Sequence, residues 1–121
     1  DYLKDCHPRL GHHLDTAVYR LSGGERQALM LALCLKRPPE LLLLDEHTSA
    51  LDPKASALLL EKTVDFILRY RLTCLMTTHN LQDALRFGNR LLALKEGRIV
   101  YQAQGEEKAR LRPEQLLQYC Y

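Results

Sequence analysis

The first sustained apolar pattern follows Leu21-Ser22-Gly23-Gly24-Glu25-Arg26-Gln27. Ala28, Leu29, Leu31, Ala32, Leu33 and Leu35 predict a largely buried helix. Ser22 followed three residues later by Glu25 is a capping box at its start. Pro38 and Pro39 stop it. Residues 41–44 are four consecutive leucines bounded by prolines and acids. Leucine is not β-branched, so propensity alone leaves a helix open, whereas length and flanks favour a buried parallel strand. Asp52-Pro53 then starts a helix, with Asp as N-cap and Pro at the first position. Leu60, Val64, Ile67 and Leu68 form its expected inner stripe. Residues 72–77 predict a second buried strand. Asn80 caps a short helix with Asp83 at its third position, and Gly88 closes it. Residues 90–95 and 98–102 flank Glu96-Gly97 and predict an antiparallel hairpin carrying Leu91, Leu92, Leu94, Ile99 and Val100. Pro113 opens a last short helix that ends near Tyr121.

Helix, strand, helix, strand, helix is the order of an α/β protein with parallel strands and flanking helices, here followed by an antiparallel hairpin. Residues 1–20 are polar and His-rich with a weak helical pattern, and read as the end of a segment that starts upstream. Composition supports a globular chain: 46% of the 121 residues are hydrophobic and 26% charged. A net charge of +2, from 17 basic and 15 acidic side chains, gives no case for nucleic-acid binding. No apolar run approaches the roughly 20 residues of a membrane-spanning helix. The start, Asp1-Tyr2-Leu3-Lys4-Asp5, has neither signal-peptide character nor an initiator Met and reads as an entry into a longer protein. Cys6, Cys34, Cys74 and Cys120 contain no C-x-x-C pair and are expected to be reduced, mostly buried thiols of a cytosolic protein. His7, His12 and His13 do not make a metal set.

Candidate chemistry gathers at three places. Asp45-Glu46 ends an apolar strand, where functional groups of open parallel sheets collect. One carboxylate there can hold a magnesium ion, and the next can take a proton from an attacking water. The plainer reading is a strand ending in acids to meet solvent. Ser22-Gly23-Gly24 opens a helix whose N–H groups and dipole attract phosphate; the plainer reading is a helix cap. His79, just past the second strand, can contact a phosphate or orient water if the two strands are neighbours, although a lone His is more often structural.

Together these stretches resemble the ABC ATPase family, in order and spacing, across nearly the whole chain after Arg20. Residues 21–27 look like the signature L-S-G-G-x-x-Q. Residues 41–46 resemble Walker B with its catalytic glutamate. Ser49-Ala50-Leu51-Asp52 matches the D-loop, and His79 the switch histidine. The resemblance implies the C-terminal part of a P-loop NTPase domain that binds ATP and Mg2+. Residues 1–20 would end its helical subdomain, and residues 21–121 would form the C-terminal part of its core. It also implies roles. Asp45 holds Mg2+ through water, Glu46 polarises the attacking water, and His79 contacts the γ-phosphate. Ser22, Gly23 and Gly24 meet ATP held by the opposite subunit, Gln27 supports the signature helix, and Asp52 couples the two sites.

The implied partners are a second ATPase subunit in a head-to-tail homodimer, transmembrane permease subunits and a substrate-binding protein, with the ATPase peripheral on the cytoplasmic membrane face. No G-x-x-x-x-G-K-[ST] run occurs in the chain, so the expected fragment is inactive alone. His47 stands where most members carry Pro. Glu46-His47-Thr48-Ser49, Thr78-His79-Asn80 and Gly88-Asn89-Arg90 resemble a bacterial subgroup of amino-acid importers of the tryptophan/tyrosine type. The alternative within the family is a soluble ATPase of translation or DNA repair. A further alternative is a non-catalytic piece that serves in dimerisation or regulation.

Overall fold

The computed structural model describes residues 10–12, 14–49 and 51–120, the last by its backbone. Expectations for residues 1–9, His13, Ala50 and the Cys120 thiol therefore lie outside the described residues. The chain divides into two units between Thr77 and Thr78.

In the first unit, 3-10 turns at Leu10–His12 and Val18–Arg20 precede helix α1 (Gly23–Leu35). The capping box forms as expected. The Ser22 hydroxyl accepts the Glu25 N–H at 3.2 Å, and the Glu25 carboxylate accepts the Ser22 N–H at 2.8 Å. Ala28, Leu31, Ala32 and Leu35 are buried along one face, at the spacing of an amphipathic helix. Leu33 falls on the other side and is exposed. Cys34 beside it is also exposed, contrary to the expected burial. Cys74 is half-buried, and burial pushes its thiol above the ordinary range.

Strand β1 (Leu41–Asp45), helix α2 (Pro53–Tyr70) and strand β2 (Thr73–Thr77) follow. The strands pair in parallel, with Leu41 opposite Thr73 and Asp45 opposite Thr77. The stripe of α2 differs from the expected one. Leu59, Leu60, Thr63 and Phe66 are buried, Val64 and Ile67 are half-buried, and Leu68 is exposed. Thr63 tolerates burial because its hydroxyl donates to the Leu59 carbonyl at 2.8 Å.

Neither strand is buried on both faces. Leu42, with Leu44 and Cys74, packs into the core formed with α1 and α2. Leu41, Leu43 and Leu75 point the other way and are exposed. The reason is the pleat: successive side chains alternate, and this unit places helices against one face of a sheet two strands wide.

In the second unit, Asn80 caps helix α3 (Leu81–Arg86) through its side-chain oxygen, which accepts the Gln82 and Asp83 N–H groups. Strands β3 (Arg90–Lys95) and β4 (Arg98–Gln104) form the expected hairpin, longer by two residues on its return. Glu96 and Gly97 both adopt positive φ, 52° and 75°, the backbone of a tight type I′ turn. Leu91 and Ala103 sit opposite one another and are buried, as is Leu116 of helix α5 (Pro113–Cys120). A further helix, α4 (Gly105–Arg110), was not expected from the sequence. It buries Lys108, whose ammonium donates to the Leu85 carbonyl at 2.5 Å, and burial lowers the pKa of this lysine.

Candidate functional site

Parallel pairing brings the carboxyl ends of β1 and β2 side by side. Residues 41, 43 and 45 share one face of β1 and residues 73, 75 and 77 the same face of β2, so Asp45 and Thr77 meet there. The Thr77 hydroxyl donates to Asp45 Oδ1 at 2.5 Å and accepts the Glu46 N–H at 3.1 Å. The Glu46 N–H also reaches the Thr77 carbonyl at 3.3 Å. Glu46 leaves the strand with φ 41°, a left-handed conformation uncommon outside glycine. Such backbone persists where surrounding bonds over-determine it, often at functional sites. The following turn closes with Ser49 N–H to Glu46 carbonyl at 3.0 Å and Leu51 N–H to Thr48 carbonyl at 3.1 Å, with His47 half-buried inside it.

Asp45 and Glu46 are both exposed. Thr77 occupies one acceptor position of Asp45, and a carboxylate has further lone pairs to offer. Among the described residues, no group of three or more His, Cys, Asp or Glu is arranged to hold a metal ion. A single oriented carboxylate suits Mg2+, which keeps several waters and takes one or two carboxylates plus phosphate oxygens.

Ser22, Gly23, Gly24 and Gln27 lie at the start of α1. The cap engages the Ser22 oxygen and the Glu25 N–H. Arg26 donates to the Leu21 carbonyl at 2.9 Å, and Glu25 is buried against its own turn. These contacts brace the helix start. A Cβ added at Gly24 would stand 3.5 Å from Ala55 Cβ and 3.9 Å from Leu51 Cδ2. Gly24 therefore borders the loop that leads into α2 and the first turn of that helix. Asp52 in that loop accepts the Lys54 and Ala55 N–H groups at 3.0 and 3.1 Å and is a helix cap.

His79 is exposed, in the second unit, between the end of β2 and the Asn80 cap. The structure thus ties the neighbours Asp45 and Glu46 to Thr77, and sets Gly24 beside Leu51, next to Asp52 in the loop. Thr77 was absent from the sequence-derived candidates. Its only signal is strand parity: once the register is known, it faces Asp45.

The ABC transporter family model matches residues 5–49. The chain is 44% identical over 109 residues to a tyrosine transport ATP-binding protein of Clostridioides difficile, covering 90% of this chain and 43% of that protein. It is 47% identical over 88 residues to the thiamine import ATP-binding protein ThiQ of Yersinia pestis, covering 73% of this chain and 37% of that protein. Its fold matches a dimeric bacterial ABC transporter cassette with a TM-score of 0.68 and 28% identity, over 85% of this chain and 44% of that one. The chain therefore spans less than half the length of these relatives.

Proposed function

Since the chain belongs to the ABC transporter ATP-binding family, we propose that it supplies the hydrolytic and dimer-facing parts of an importer's ATPase subunit. The observation that carries this reading is the Asp45-Glu46 pair, held at the carboxyl end of β1 by a bond network to the end of β2. In hydrolysis, water oxygen bonds to the γ-phosphorus, the bond to the β,γ-bridging oxygen breaks, and a water proton passes to Glu46. Asp45 would hold Mg2+, which neutralises phosphate charge when bound. His79 contacts the γ-phosphate.

Ser22, Gly23 and Gly24 present the N-terminus of α1 to ATP carried by a second copy of the subunit. Gln27 steadies that helix, and Asp52 couples the two sites across the head-to-tail dimer. Residues 1–20 end a helical subdomain, and residues 21–121 form the C-terminal part of the ATPase core. The phosphate grip of a G-x-x-x-x-G-K-[ST] loop comes from outside these 121 residues, so the chain by itself does not hydrolyse ATP.

The functions of the relatives, tyrosine transport and thiamine import, support an importer. The tyrosine relative favours an amino-acid cargo. Permease subunits and a substrate-binding protein complete the assembly at the cytoplasmic membrane face. Among the described residues no helix is long and apolar enough to cross a membrane.

Glu46→Gln tests the reading in the complete ATPase that carries this chain. Hydrolysis should fall at least about a hundredfold, since a general base contributes roughly 10²–10⁴, while ATP affinity stays near wild type. Turnover within about twofold of wild type would remove Glu46 from its role.

A further inference from the structure

We infer that Thr77 is a positioning residue for ATP hydrolysis, orienting Asp45 and Glu46 together through one hydroxyl. The inference rests on the roles proposed above for those two carboxylates. A threonine hydroxyl has one proton and two acceptor lone pairs. Here the proton goes to Asp45 Oδ1 at 2.5 Å, and a lone pair takes the Glu46 N–H at 3.1 Å. Two consecutive residues with different tasks are thus fixed by one side chain on the neighbouring strand.

The consequences differ for the two. For Asp45, the bond occupies one carboxylate oxygen and sets the plane in which the other is offered. For Glu46, it helps hold a left-handed backbone with φ 41°. That φ sets the direction in which the side chain leaves the strand end. The main-chain bond from Glu46 N–H to the Thr77 carbonyl, at 3.3 Å, is longer and independent of the side chain. Removing only the hydroxyl should therefore loosen the site without unpairing the strands. Valine matches the shape and strand preference of threonine but lacks the hydroxyl, whereas serine keeps the hydroxyl.

The test compares Thr77→Val, Thr77→Ser and Glu46→Gln in the complete ATPase, with kcat, KM for ATP and melting temperature measured for each. Thr77→Val should lower kcat about tenfold or more, since small displacements of a reacting group are costly. Its KM should stay within about twofold, because the hydroxyl is spent on Asp45 and Glu46 and a group that acts through them changes turnover more than ground-state binding. Thr77→Ser should restore kcat to within about threefold of wild type. A purely structural role would lower the melting temperature while leaving the kcat of the folded enzyme unchanged.

Equal kcat for the Val and Ser variants, with Glu46→Gln inactive, overturns the role of Thr77 alone. An active Glu46→Gln enzyme overturns the catalytic reading and this inference with it. Should Thr77→Val not fold, Thr77→Ala against Thr77→Ser decides: equal turnover refutes the inference, and a tenfold gap supports it.

Discussion

Replacing Ser22 separates a helix cap from a phosphate contact, because the two roles have different magnitudes. Ser22→Ala removes the oxygen that accepts the Glu25 N–H at 3.2 Å. The reciprocal bond, from the Ser22 N–H to the Glu25 carboxylate at 2.8 Å, uses main chain and survives. Loss of such a cap costs about 1 kcal/mol, or roughly 2–4 °C of melting temperature for a domain of 150–250 residues. Native stability is typically about 5–15 kcal/mol, so the folded population at 25 °C, and any rate depending only on it, barely changes. A hydrogen bond to a charged phosphate is worth about 1.5–3 kcal/mol, which is about ten- to hundredfold in rate if made in the transition state.

Ser22→Asp sharpens the contrast. Aspartate is as good an N-cap as serine, but it brings a negative charge toward an anionic ligand. Circular dichroism melting and phosphate release on the complete ATPase read the two effects separately. The Asp variant should melt close to wild type and lose hydrolysis at least as severely as the Ala variant. Wild-type hydrolysis by Ser22→Asp would refute the phosphate contact and leave Ser22 as a cap.

Gly97→Ala should cost about 1 kcal/mol in urea denaturation, because φ 75° is strained for alanine even though its Cβ would meet nothing within 4 Å. Glu96→Gly at φ 52° in the same turn should gain a few tenths to about 1 kcal/mol by the same measurement. Thr63→Val should be neutral or stabilising by up to about 1 kcal/mol, since the hydroxyl only back-bonds to the Leu59 carbonyl one turn earlier, a contact that slightly opposes the helix. Burial lowers the pKa of Lys108 in the folded state, so the unfolded chain binds more protons just below the ordinary lysine value near 10.5. Stability should therefore rise through that window as pH rises, and denaturation of Lys108→Met at pH 8 and 10 should show a smaller rise than wild type.

Features set by neighbouring residues were legible before the structure. The capping box of Ser22 and Glu25, the Asp52-Pro53 start, the Asn80 cap and the Glu96-Gly97 turn depend on contacts a few residues apart. Features set by what covers an element were not. The leucines of β1 read as buried on both faces, yet Leu41 and Leu43 are exposed because packing falls on one side of the sheet. Cys34 and Leu68 belong to apolar segments but lie off the buried faces of their helices. Helix α4 gives no periodic signal in the sequence because its six residues, Gly-Glu-Glu-Lys-Ala-Arg, contain no apolar stripe. Its acids at the start and bases at the end suit the helix dipole and were the available signal. At the candidate site, Asp45 and Glu46 stood out by type and position, whereas Thr77 acts across 32 residues of sequence and shows only in the strand register.

In the proposed mechanism the Asp45-Glu46 end and the Ser22 helix start serve one ATP site completed by two copies of the subunit. Sedimentation of the complete ATPase with ATP and Mg2+ tests this most directly. Glu46→Gln should accumulate as a dimer, because ATP binds and is not consumed. Adding Ser22→Arg to it should leave monomers that still bind ATP, since the substitution blocks only what the second copy contributes. A double variant that dimerises on ATP as fully as Glu46→Gln would contradict a site shared between two copies.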